Sequence, residues 1–273
     1  MYTATATLRN VTIHCDRMGS GEPLVLIHGL GERKEGWACQ YTLANSYDLI
    51  IPDLPGHGQS APAEKVSIEA FARHVLELLD VLEVESAHIC GLSMGGVVAQ
   101  EMYRMAPDRC RSLILVNTFF YVPRLMRAPL YQLWTWRANF LPPQWRMSLA
   151  AATCLVNWKS ETLERFQHAM EHNASTYRQT LEACLQVDNT ELLPRIKVPT
   201  LILASDYDLL TPLWGQMMIH HLIPGSKMAI LHCAGHMAKL EQPEEFNRKI
   251  LEFLSELKIE KSTANQDIKK RPE

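Results

Sequence analysis

A chain of 273 residues has room for one large core with an insertion, because single α/β domains often exceed the usual size of about 150 residues. Hydrophobic residues make up 47% and charged residues 21%, with a net charge of −3, which fits a globular protein and offers no basic footprint for nucleic acid or an anionic membrane. No apolar run reaches the roughly 20 residues of a membrane-spanning helix. The amino terminus lacks the basic and apolar regions of a secretory leader, and the seven cysteines are scattered, odd in number and without a C-x-x-C pair, so a reduced, cytoplasmic protein is expected.

The first twenty residues alternate weakly between apolar and polar and predict one or two antiparallel edge strands. Next comes Leu24-Val25-Leu26-Ile27, an unbroken apolar run that ends in the turn His28-Gly29-Leu30-Gly31, as a strand buried on both faces would. The same signature returns at residues 49–51, 87–90, 113–116, 201–203 and 228–231. Between them, Ile68, Phe71, Val75, Leu78, Leu79 and Leu82 recur with a helical period after Ser67, a suitable N-cap. Phe246, Ile250, Phe253, Leu254 and Leu257 do the same after Pro243. Strands alternating with amphipathic helices predict right-handed βαβ units and an α/β, mostly parallel, doubly wound sheet.

Over residues 121–195 the strand signature gives way to helical segments rich in Trp, Met and Leu, which predicts a helical lid inserted into a core made of residues 1–120 and 196–258. The lid holds Trp134, Trp136, Trp145 and Trp158, as packing for its own core or as the lining of a substrate pocket. Residues 259–273 turn polar and charged and are expected to form a disordered tail.

The strongest local pattern is Gly91-Leu92-Ser93-Met94-Gly95-Gly96, a G-x-S-x-G set between a predicted buried strand and a helical stretch. A nucleophilic serine must stand clear of a sheet on a sharp strand-to-helix turn, and small residues two positions to either side let the backbone crowd there. The hydroxyl needs a base, and the base needs a third group to hold it. His236, in the loop before the last helix, supplies the base. Asp208 supplies the acid in the loop after residues 201–203, preferred over Asp206 because it stands deeper in that loop, four residues before Pro212. An acid after Val116 is disfavoured, since Asn117 and Thr118 stand there. Backbone N–H donors for a developing oxyanion are expected from Met94 and from Leu30 in the glycine-rich turn.

Taken together, His28 to Gly31, Asp53-Leu54-Pro55-Gly56-His57-Gly58-Gln59-Ser60, Gly91 to Gly96, the Asp208 loop and Gly235-His236 with Leu240-Glu241-Gln242-Pro243 resemble the α/β-hydrolase superfamily, close in pattern to bacterial carboxylesterases and 3-oxoadipate enol-lactonases. The resemblance runs from His28 to Leu257 and implies catalytic roles for Ser93, Asp208 and His236, with the amides of Leu30 and Met94 as the oxyanion hole. This chain has Ser205 where the family's acid loop commonly has glycine, Leu92 where carbon–carbon-cleaving relatives carry asparagine, and serine where dehalogenases and epoxide hydrolases place aspartate. His28 and His57 stand in glycine-rich turns that are mostly structural in the family. Neither a G-x-G-x-x-G nor a Walker pattern is present, and the His and Cys spacings do not suit metal, so no cofactor is expected. The resulting expectation is a cofactor-independent serine hydrolase for a small or medium ester, lactone or thioester with an apolar acyl group. Its rivals are an amide or carbon–carbon hydrolase with the same triad, and a lid-gated receptor for a small ligand.

Overall fold

The computed structural model describes residues 2–8, 11–170 and 174–269. In chain order the strands are β1 (Tyr2–Leu8), β2 (Val11–Met18), β3 (Glu22–Ile27), β4 (Tyr47–Pro52), β5 (Ala87–Leu92), β6 (Cys110–Val116), β7 (Thr200–Ser205) and β8 (Lys227–Leu231). They form an 8-stranded sheet in the order β1-β2-β4-β3-β5-β6-β7-β8. β1 and β2 pair antiparallel with their neighbours, and every pairing from β4 to β8 is parallel.

Alternation along the buried strands divides the core into two layers. Val25, Ile27 and Ile89 join one cluster, while Leu24, Leu26, Cys90 and Leu92 face the other. Against the first layer pack α1 (Ile68–Val81) and α2 (Met94–Met105), which contribute Phe71, Val75, Leu78, Val97 and Met102. α1 starts as its sequence predicts, with the Ala70 N–H donating to Ser67 Oγ at 3.1 Å. The second layer is covered by Trp37, from a 3-10 helical stretch over Lys34–Asn45, and by Phe246, Ile250, Phe253 and Leu254 near the carboxyl terminus.

Between β6 and β7 the chain leaves the sheet and builds α3 (Arg124–Phe140), α4 (Pro143–Cys154), α5 (Ser160–Ala169) and α6 (Ala174–Leu185). The two ends of this insertion are sewn together. Tyr121 bridges Asp188, Val122 N–H donates to Val187 O at 3.2 Å, and Asn189 N–H donates to Phe120 O at 2.7 Å. The chain then returns to the sheet and continues through α7 (Leu213–Leu222), α8 (Ala238–Glu241) and α9 (Pro243–Lys269). α9 corrects the expectation of a disordered tail over residues 259–269, which are helical; residues 270–273 of that tail lie outside the described residues. Among the described residues no helix is long and apolar enough to cross a membrane.

Register is what gathers the site. Pairing of Ile27 with Gly91, Leu92 with Val116, Val116 with Leu203 and Ser205 with Leu231 brings the carboxyl ends of β3, β5, β6, β7 and β8 into line. Loops from distant parts of the sequence therefore meet at one edge, where open α/β sheets place their sites.

Candidate active site

Ser93 sits between β5 and α2 with φ 55° and ψ −118°, a backbone conformation that costs a non-glycine residue strain and lifts its side chain off the sheet. The flanking glycines make that turn possible. A Cβ at Gly91 would lie 2.1 Å from Gly95 O, and one at Gly95 would lie 2.2 Å from Ile27 O. Two bonds hold the turn from β6 and its loop, Ser93 N–H donating to Val116 O at 2.9 Å and the Thr118 hydroxyl donating to Ser93 O at 2.6 Å. Gln216 of α7 holds Thr118 in place, with Nε2 donating to Thr118 O at 2.6 Å and to Thr211 O at 3.1 Å.

His236 is buried, and its Nδ1 lies 2.7 Å from Asp208 Oδ2. With Nδ1–H donated to the carboxylate, Nε2 is the nitrogen left for other work. Asp208 is itself fully determined by its loop: Leu210 N–H and Thr211 N–H donate to Oδ1 at 2.8 and 2.9 Å, and the Thr211 hydroxyl donates to Oδ2 at 2.6 Å. Burial opposes charge on both partners. The attraction between them and these hydrogen bonds outweigh it, holding the Asp208 carboxyl below and the His236 imidazole above their ordinary ranges, with Glu32 adding to the latter. Asp206 is engaged elsewhere, with Oδ2 3.2 Å from His232 Nδ1.

Three polar residues support this arrangement, and each acts across a long sequence separation. Asn117, at φ 39°, donates from Nδ2 to Ser205 Oγ at 2.8 Å and to His236 O at 3.0 Å, tying the ends of β6 and β7 to the histidine loop. Ser205 is thus an acceptor in that network. Glu241 accepts from Gly235 N–H on one oxygen and from Val156 and Asn157 N–H on the other, all at 2.7 Å, so the histidine loop is fastened to the end of α4. Glu32 accepts from Gly29 N–H at 2.7 Å and pairs with the fully buried Lys239 at 2.9 Å. The Lys239 ammonium lies 4.0 Å from the centre of the Trp37 ring.

Ser93, His236, Leu30 and Met94 all open on one cavity of about 790 Å³, with Phe119, Met147, Met170 and Leu181 among its walls. Among the described residues nothing accepts a hydrogen bond from the Leu30 or Met94 N–H, whereas Gly29 N–H is taken by Glu32. A second depression of about 710 Å³ beside α9 shares no residue with this cavity.

The structure separates the four lid tryptophans, for which the sequence left open packing within the lid and lining of a pocket. Trp134 lines the cavity, while Trp136, Trp145 and Trp158 are 52%, 63% and 53% exposed and stand outside it. Helical phase explains the split on α3: Leu130, Leu133, Trp134 and Arg137 share one face, and Trp136 falls on another. Trp214 of α7 lines the cavity instead, a position without any motif to mark it. His28 and His57 are structural. His28 Nε2 accepts from Leu54 N–H at 3.0 Å, and burial lowers the two imidazoles to about 4 and about 3, so both stay neutral. Asp53 closes the same loop by accepting from Lys34 and Gln59 N–H at 2.7 and 3.0 Å.

The chain matches the family described as alpha/beta hydrolase fold over residues 22–243. It is 28% identical over 263 residues to 3-oxoadipate enol-lactonase 2 of Acinetobacter baylyi, covering 91% of this chain and 95% of that protein. The crystal structure of a hydrolase from Pseudomonas aeruginosa PA01 superposes with a TM-score of 0.84 at 26% identity, covering 92% of this chain and 98% of that one. A thermophilic esterase from Thermogutta terrifontis shares the fold, with a TM-score of 0.85 at 24% identity over 94% of this chain and 99% of its own. Matched to that family over residues 22–243, the chain belongs to the alpha/beta hydrolase fold family and is a hydrolase.

Proposed function

We propose that the chain hydrolyses a small or medium carboxylic ester, lactone or thioester through an acyl-enzyme, with Ser93 as nucleophile, His236 as general base and Asp208 as the acid that orients it. The observation that carries this reading is the convergence of a strained Ser93 and an Asp208-bound His236 on one cavity. Likeness to an enol-lactonase across nearly its whole length supports the ester or lactone class.

In this reading His236 Nε2 takes the Ser93 proton as Oγ attacks the carbonyl carbon, and the Leu30 and Met94 N–H groups stabilise the oxyanion. The same imidazolium returns the proton to the leaving group. Water then enters, is deprotonated by His236 and releases the acid. The insertion of residues 121–195 acts as a lid that selects the substrate. Its cysteines are free throughout, which suits work in the reducing cytoplasm.

Steady-state turnover of an ester by Ser93→Ala tests the assignment. The reading expects a folded variant with kcat lower by roughly 10³- to 10⁶-fold. Turnover like that of the parent would refute it.

A further inference from the structure

The ion pair between Lys239 and Glu32 takes part in no step of the proposed reaction, yet it is built with care. Both residues are buried, with Nζ 2.9 Å from Oε1. Burial pushes the Lys239 amine below the ordinary lysine range, and the Glu32 charge opposes that shift. Gly36 leaves the room, since a Cβ there would lie 2.9 Å from Glu32 Oε1 and 3.1 Å from Lys239 Nζ. Apolar side chains of similar size often serve stability as well as a buried ion pair does, so stability alone is a weak reason for this one.

Its place in the chain gives a stronger reason. Lys239 stands on α8, just after His236, and its own carbonyl is held by Gln40 Nε2 at 3.0 Å. Glu32 follows the turn that carries Leu30, and it grips Gly29 from both sides. Its carboxylate accepts the Gly29 N–H at 2.7 Å, and its backbone N–H donates to Gly29 O at 3.3 Å. The second contact bears directly on the expected oxyanion donor, because the Gly29 carbonyl and the Leu30 N–H are opposite ends of one planar peptide. Whatever holds the carbonyl aims the N–H the other way. His28 adds to this hold: its Nε2 accepts from Leu54 N–H, so its proton is on Nδ1, which donates to Gly29 O at 2.8 Å. With the carboxylate fixing the preceding peptide, neither plane beside Gly29 can turn alone.

We propose that Glu32 is a positioning residue that aims the Leu30 N–H at the developing oxyanion, and that Lys239 anchors its carboxylate from the histidine loop, so that donor and base keep one relative geometry. The proposal rests on the reading of Ser93 as nucleophile and of Leu30 as donor. A lone carboxylate in this position would repel the oxyanion it helps to bind. Lys239 cancels that charge at close range, so Gly29 gains a strong, charge-assisted acceptor while the site gains no net charge.

A single substitution would leave one charge buried and alone, so the test uses two double variants without either charge. Glu32→Gln/Lys239→Met keeps a side-chain acceptor for the Gly29 N–H, and Glu32→Leu/Lys239→Met removes it. Exhaustive labelling with a fluorophosphonate counts the competent Ser93 sites, and ester kinetics are expressed per labelled site. The leucine variant should lose kcat by on the order of 10²-fold with KM little changed, as expected for a misaimed oxyanion donor, and the glutamine variant should recover about tenfold of that loss. Inhibition by a trifluoromethyl ketone, whose adduct with Ser93 carries an oxyanion, should weaken in the same order. A packing role alone would lower the melting temperature and the labelled fraction but leave kcat per site unchanged. Parent-like kcat per site in both variants, equal losses in the two, or a loss confined to KM would overturn the proposal. Should the leucine variant not fold, the glutamine variant decides alone: kcat per site lower by about tenfold at unchanged KM supports the anchor, and a parent-like value ends it. A parent that neither turns over an ester nor labels at Ser93 would instead refute the nucleophile reading, and the positioning role with it.

Discussion

At the scale of single residues, the histidine loop makes the sharpest demand on chemistry. In the proposed mechanism only neutral imidazole can take the Ser93 proton, and the imidazole of His236 is raised above the ordinary value of 6.5, since the Asp208 charge and hydrogen bond overcome burial. kcat/KM should therefore rise with pH through an ionisation above 6.5 and level off on the basic side. Asp208→Asn removes the group that raises this ionisation, so the limb should move to lower pH while kcat falls by on the order of 10⁴-fold as the imidazole loses its tautomer. Asp206→Asn should be mild, because that carboxylate pairs with the exposed His232. A pH–rate series on the three proteins checks both points. An unshifted limb in Asp208→Asn, or a larger loss in Asp206→Asn, would contradict the assignment.

At the scale of elements, the proposed lid divides into a part fastened to the histidine loop and a part that lines the cavity. Glu241 fastens the end of α4 to the histidine loop through three N–H groups, of which that of Gly235 is buried. Each donor left without an acceptor costs about 1–3 kcal/mol, so Glu241→Ala should lower the melting temperature and also kcat, through the loosened Gly235-His236 backbone. Thermal melts beside steady-state kinetics test this, and a variant that keeps its melting temperature would show that the clamp is idle. On α3 the face decides the role. Trp134→Leu should alter relative kcat/KM across acyl chain lengths, each buried methylene contributing roughly 0.8 kcal/mol, whereas Trp136→Leu should leave the profile as it is. Equal effects from both would remove the distinction between the two faces.

At the scale of the whole molecule, how much could be read in advance depends on how local the cause is. The buried strands announce themselves as short apolar runs, and the elbow as glycines around one serine, because strand burial and turn crowding are set by neighbours in the chain. The lid tryptophans could not be sorted in this way: composition marks the segment, but only the packed phase of α3 separates Trp134 from Trp136. The partners of Asn117, of Glu241, which the sequence marked only within a family-like motif, and of Glu32 and Lys239 were illegible for a related reason. Each is an ordinary polar residue until the sheet register brings it against a partner far away in sequence, as Asn117 meets the His236 carbonyl. The polar composition of residues 259–269 suggested disorder, yet they continue a helix whose earlier turns are anchored by Phe246, Ile250 and Leu254.

The central claim is that one strained serine forms the covalent intermediate. Incubating the protein with a fluorophosphonate that carries a chromophore, followed by intact-mass measurement and peptide mapping, tests it most directly. The account predicts one adduct per chain, located on the peptide that contains Ser93, with labelling abolished in Ser93→Ala and slowed in His236→Ala. An adduct on any other residue, or undiminished labelling of Ser93→Ala, would contradict it.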